Sequence, residues 1–190
     1  YLPGSTTLLL ASNDTLWQVD VEKNTLNSLY THPNILPDEW VYFGGWAIDK
    51  HNVLWVAYPK KGLLGFSLDT FEQKYFYHKA NSIIDNNVYG VMSDAEGDIW
   101  FSSHNGIYML NSNTKHIRHF TVSDGLVATE YNYRSYAKLN QNLVYGSMEG
   151  ISIFDPLKLK KVTNDKNFKV HVTDVTVLSR ELNLPFIFED

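Results

Sequence analysis

Ser93-Asp94-Ala95-Glu96-Gly97-Asp98-Ile99-Trp100-Phe101-Ser102-Ser103-His104-Asn105-Gly106-Ile107-Tyr108-Met109-Leu110 holds two turns and the strands they join. Asp94–Asp98 is polar and carries a glycine, which suits a hairpin turn. Ile99-Trp100-Phe101 is an aromatic, β-favouring run. Asn105-Gly106 is a strong reversal signal, and Ile107–Leu110 returns as a second apolar strand.

The same unit recurs. Asp49 to Ala57 leads through Lys61-Gly62 into Leu63-Leu64-Gly65-Phe66. Asn140 to Ser147 leads through Glu149-Gly150 into Ile151-Ser152-Ile153-Phe154. Leu8–Ser12 leads through Asn13-Asp14 into Leu16–Val19. Trp55 and Trp100 are 45 residues apart (100 − 55), Gly106 and Gly150 are 44 (150 − 106), and Leu16 and Leu63 are 47 (63 − 16). A period of this length, filled with short strands and turns, predicts an all-β chain of β-propeller blades, each of four antiparallel strands. A run of hairpins in a sandwich is the alternative.

Four blades are expected, over about residues 1–33, 38–80, 81–126 and 127–162, with residues 163–190 as a linker and the start of another β domain. Leu8–Ser12 takes the second-strand position of its blade, so the innermost strand of that blade is expected to come from elsewhere, and the chain reads as a piece of a longer protein. In the second blade Val41–Ile48 is the expected inner strand, and Gly44-Gly45 within it calls for a close backbone approach or a bulge. The final strand of the fourth blade is poorly signalled. Leu157-Lys158-Leu159-Lys160-Lys161-Val162 is strand-like but basic. Lys169–Leu178 alternates strongly and reads as a first strand of the next β domain.

Net charge is −5, which disfavours nucleic-acid binding, since that needs a basic face. No apolar run is long enough to span a membrane. With no cysteine, disulfides and Cys-ligated metals are excluded. His116 and His119 fall on opposite faces of a strand, and His51, His78 and His104 lack a His or carboxylate at ligand spacing, so no metal and no cofactor is expected. Asp94, Glu96 and Asp98 lack the spacing of a calcium loop and read as a solvated turn. No nucleophile elbow, P-loop or dinucleotide fingerprint is present. Lys158–Lys161 reads as a solvated linker.

The stretch Asp94 to Ile107 resembles the two-component regulator propeller repeat: an Asp, a Gly, an aliphatic-Trp pair, small residues, then Asn-Gly-aliphatic. The fourth unit is similar to the last blade of such propellers, with Glu130-Tyr131-Asn132 at its start and Gly150-Ile151-Ser152-Ile153-Phe154-Asp155-Pro156 at its end. Phe168–Leu178 resembles the opening strand of the immunoglobulin-like triple-tyrosine domain that follows them. Val53 stands where the repeat has Gly. The family's domains carry more blades than four, so the resemblance implies a fragment of a larger, seven-bladed propeller. It also implies the periplasmic portion of an inner-membrane sensor with a histidine kinase or diguanylate cyclase output, a membrane-anchored parent protein, and no catalysis in this region.

Propellers bind small ligands where the loops entering the inner strands converge. Repeat alignment places Trp40, Tyr42 and Trp46 there in the second blade, Asn86, Asn87 and Tyr89 in the third, and Glu130, Tyr131, Tyr133 and Arg134 in the fourth. Aromatics beside amides and an Arg suit an oligosaccharide, although half of each inner strand is expected simply to pack between blades. Trp55 and Trp100 recur at a core position and read as structural. An open arc of blades leaves edges uncovered, so self-association or a homodimer is expected. A propeller enzyme of the lyase or hydrolase type, or a protein-protein scaffold, are the competing readings.

Overall fold

The fold is described by a computed structural model, covering residues 6–12, 15–31, 43–162, 176–177 and 180–181. It is built of repeated antiparallel sheets. β1 (Thr7–Ala11), β2 (Thr15–Asp20) and β3 (Thr25–Thr31) form the first, in that order. β4 (Gly45–Ile48), β5 (Val53–Tyr58), β6 (Gly62–Ser67) and β7 (Gln73–Tyr77) form the second. The third is β8 (Val88–Ser93), β9 (Ile99–Ser103), β10 (Gly106–Leu110) and β11 (Ile117–Phe120). The fourth is β12 (Tyr131–Leu139), β13 (Asn142–Ser147) and β14 (Ile151–Phe154), followed by helix α1 (Pro156–Val162). β15 (Thr176–Val177) and β16 (Arg180–Glu181) pair with each other. Most of the expected strand Lys169–Leu178 therefore lies outside the described residues. No described helix is long and apolar enough to cross a membrane.

These sheets are propeller blades because their shared cores lie between them. Leu16 of the first packs with Leu54, Val56, Leu64 and Phe66 of the second. Trp55, Ala57 and Leu63 of the second pack with Val91, Phe101 and Tyr108 of the third. Met92, Trp100 and Phe120 of the third pack with Tyr131, Leu143 and Tyr145 of the fourth. A four-stranded sheet has two apolar faces, and only flanking copies cover both. The fully buried strands β5, β9 and β10 carry near-continuous apolar runs for that reason. Trp55 and Trp100 are fully buried, each under the aromatics of its own outermost strand: Trp55 stacks on Tyr75 at 5.2 Å, and Trp100 on Phe120 at 5.4 Å.

The turns obey their chemistry. Gly106 has φ 85°, and a Cβ there would lie 2.2 Å from the Phe120 carbonyl oxygen. The close backbone approach expected at Gly44-Gly45 is present: a Cβ at Gly44 would lie 3.0 Å from the Val88 carbonyl oxygen and 3.1 Å from Tyr89 Cα. Tyr136 of the fourth blade crowds Gly45 as well. Its ring lies across Gly90 and its hydroxyl reaches Gly45, so that a Cβ at either glycine would meet it at 2.5–2.6 Å. One tyrosine thus spans the inner strands of three blades.

The fourth blade corrects two expectations. Leu157–Val162 is not strand-like but part of α1. Pro156 suits a first helical position, and Asp155 Oδ1 accepts from the backbone N–H groups of Leu157 and Lys158. The Leu-Lys alternation masks this start signal. Nor is Lys160 part of a solvated linker. Its ammonium meets Asp94 at 2.5 Å, Asp98 at 2.6 Å and Glu96 at 2.9 Å, with its side chain 14% exposed. The Asp94–Asp98 turn is accordingly not solvated, since both aspartates are buried.

Candidate functional site

Asp94 Oδ1 accepts from the backbone N–H groups of Glu96 and Asp98, and Oδ2 from Trp100 Nε1 at 2.9 Å. Asp49 repeats this one blade earlier, accepting from His51, Val53 and Trp55 Nε1. Lys115 Nζ reaches Asp49 at 3.3 Å and lies 5.5 Å from the Trp55 ring, as Lys160 reaches Asp94. Both lysines follow their aspartate by 66 residues (115 − 49 and 160 − 94) and come from the next repeat. This end of the blades is an inter-blade tie.

The other end, where the inner strands begin, is where the expected binding residues gather. Both β8 and β12 are irregular there, with register shifts between Val88 and Val91 and between Tyr131 and Tyr136. Such bulges re-aim side chains. Tyr89 Oη lies 2.7 Å from His104 Nε2, and the Tyr133 ring meets the Tyr89 ring edge-on at 5.9 Å. His104 Nε2 is 3.4 Å from a carboxylate oxygen of Glu130. Tyr133 donates to the Phe43 carbonyl at 3.2 Å, and the Arg134 guanidinium lies 5.1 Å from the Tyr133 ring. Burial, and then the charges of Asp85 and Glu130, push the Tyr89 hydroxyl up to about 12, so it is a neutral phenol at ordinary pH.

Beside this cluster lie two clefts of about 640 and 500 Å³ that share Trp46 and Tyr136; the larger opens between the first and second sheets, with Leu10, Leu16, Leu54 and Val56 in its wall. Trp46 is half exposed between them.

Of the residues expected from sequence, Trp46, Tyr89, Tyr133 and Arg134 come together. Asn87 lies at the same seam, but its amide donates to Asp85 Oδ1, and the Asn86 side chain accepts from the Lys79 backbone, so both shape the entering loop. Tyr131 instead packs in the core, 1% exposed, with its hydroxyl on Ser152 Oγ at 2.6 Å. It is the first residue of its strand, and the bulge after it turns Tyr133 and Arg134 outward while Tyr131 faces the third blade. Trp40 and Tyr42 lie outside the described residues. His104, set aside in the sequence for want of a partner at ligand spacing, finds Tyr89 of β8 and Glu130, the residue before β12, neither of them close to it in sequence. No group of three or more His, Asp or Glu side chains able to hold a metal occurs among the described residues.

Residues 82–105 match the family model of the two component regulator propeller. The chain carries a two-component regulator propeller repeat. Over 117 residues, 61% of this chain, it is 32% identical to histidine kinase P4 of Formosa agariphila, of which the match covers 8%. The chain therefore spans a small part of that relative. Among solved structures, this chain resembles the extracellular domains of two hybrid two-component systems of B. thetaiotaomicron. One superposes with a TM-score of 0.61 at 20% identity, covering 88% of this chain and 23% of the other. The second has a TM-score of 0.58 at 15% identity, covering 78% and 23%. At these identities the likeness establishes the propeller fold.

Proposed function

We propose that this chain is part of the extracytoplasmic, ligand-sensing region of a membrane-bound two-component signalling protein, on the periplasmic side of the inner membrane, and that its ligand is a carbohydrate. The sensing role draws on the regulator propeller repeat, together with a relative that is a histidine kinase and fold neighbours that are extracellular domains of hybrid two-component systems. The observation that carries the ligand is the cluster Tyr89, His104, Tyr133 and Arg134 beside the half-exposed Trp46. Aromatic faces for sugar rings stand next to donors and acceptors for hydroxyls. Binding would bias the packing of adjacent blades, and self-association through uncovered blade faces would carry that bias to a second copy.

Calorimetry of the whole chain against a panel of oligosaccharides tests this reading. Binding that is lost in Trp46→Ala and Tyr89→Ala is expected, with both variants folded by circular dichroism. Absence of binding by every saccharide removes the carbohydrate ligand.

A propeller enzyme is the second reading, because Tyr89, His104 and Glu130 do converge within reach of one another. Incubation of bound saccharides with the chain separates the two. A sensing module returns them intact, and an enzyme yields products that vanish with His104→Ala.

A further inference from the structure

The charged side chains that line the two clefts among the described residues are both cations. Between them the clefts are lined by apolar and aromatic side chains, including Phe43, Trp46 and Tyr136, and by two charged ones, Arg134 and Lys138. No described Asp or Glu lines either cleft, in a chain whose net charge is −5. Glu130, with its carboxylate 3.4 Å from His104 Nε2, and Asp85 stand by Tyr89, outside both linings.

Arg134 sits in the bulge of its strand. Its backbone is left-handed at φ 57°, within the irregular stretch of β12. Lys60, Phe71 and Lys115 share that conformation elsewhere in the chain, so here it belongs to the bulge of β12. The guanidinium lies 5.1 Å from the Tyr133 ring, and the Tyr133 hydroxyl is anchored on Phe43, a wall of the larger cleft. The fork is thus exposed, supported from one side, and open to the cleft.

We infer that the cleft takes a saccharide bearing an oxyanion, a ring carboxylate or a sulfate, with Arg134 as the residue that binds the anion. This rests on the carbohydrate reading above and specifies the charge of the ligand. A planar guanidinium pairs with carboxylate or sulfate through two parallel hydrogen bonds, which an ammonium cannot reproduce. Trp46 and Tyr136 supply faces for the apolar side of the sugar ring, while Lys138 adds positive potential at the second cleft. A volume of about 640 Å³ lies within the range of small-ligand pockets.

The test is calorimetry of the whole chain with three trisaccharide probes: a uronate, a sulfated galactoside and a neutral hexose. The expected result is that the uronate or the sulfated probe, whichever oxyanion fits, binds at least tenfold more tightly than the neutral one. Arg134→Gln then weakens that probe at least tenfold, Arg134→Lys restores part of the loss, and the melting temperature of both variants stays at or above that of the parent. Equal or tighter binding of the neutral probe overturns the inference and leaves the carbohydrate reading standing. So does anionic binding that Arg134→Gln leaves unchanged. If none of the three binds, the inference falls, and the wider oligosaccharide panel decides the carbohydrate reading.

Discussion

Lys160 on the helix that ends the fourth blade lies 2.5 Å from the buried carboxylate of Asp94 in the third. The same ammonium holds Asp98 and Glu96, and the Lys160 carbonyl accepts from Arg118 of β11. Where blades two and three carry an outermost strand, blade four carries a helix that grips its neighbour.

Removing this ammonium leaves two buried carboxylates without their cation. Lys160→Met should destabilise the fold by about 3–5 kcal/mol, since stripping one partner from a buried ion pair uncovers the other. Adding Asp94→Asn to it should recover part of the loss, and urea unfolding of the four proteins of that cycle measures the coupling. Lys115→Met should cost less, about 1–3 kcal/mol, because Asp49 keeps its three N–H donors and Lys115 reaches one carboxylate rather than three.

Asp98 sets the acid limit of this tie. Burial pushes its carboxyl up, but hydrogen bonds from Lys160 and Ser112 outweigh that and hold it below the ordinary range. A carboxyl lowered on folding contributes stability that is present above its unfolded value, about 4, and lost as pH falls through the folded one. Unfolding free energy should therefore fall as pH drops below about 4, and less steeply in Lys160→Met.

Tyr145 and Tyr131 should respond oppositely to loss of the hydroxyl. The Tyr145 hydroxyl is buried with no hydrogen-bond partner among the described residues, and burial raises it well above its ordinary value. Tyr145→Phe should leave stability unchanged or raise it by about 1 kcal/mol, as a buried unpaired polar group is removed. Tyr131→Phe breaks the bond to Ser152 and should cost about 1 kcal/mol. Thermal melts of the two variants, side by side, decide it.

Gly90→Ala tests the axial tyrosine. The added methyl would fall within the Tyr136 ring, so a loss of about 1–3 kcal/mol is expected from overpacking. Combined with Tyr136→Ala, which removes the ring but keeps the Cβ at 2.7 Å, the clash is only partly relieved, so the two losses should sum to more than the double variant shows.

Much of the blade architecture is legible in the residues. The tryptophans at 55 and 100 and the glycines at 62, 106 and 150 recur because each copy meets the same neighbours, and the hairpins follow from Asn-Gly and its equivalents. What stayed hidden depends on other copies. Leu157–Lys161 alternates like a strand, and only Asp155-Pro156 betrays the helix. Asp94, Glu96 and Asp98 look like any polar turn until a lysine from the next repeat is laid on them, although both members of each pair recur at the same interval of 45. At the binding end, strand alternation alone would not place Tyr131 in the core with Tyr133 and Arg134 outside, because the bulge in β12 breaks the period of two. His104 finds its partners only when β8 and β12 lie side by side.

The lysine ties also bear on how such a chain can grow. A unit that relies on its successor for a counter-ion is not self-sufficient, so duplicating or transplanting a single one strands an acid at one junction and an amine at the other. The minimal heritable cassette straddles two sheets rather than filling one. Leu139 and Tyr145, standing where Asp and Trp stand in the two preceding units, mark a junction at which that dependence ends.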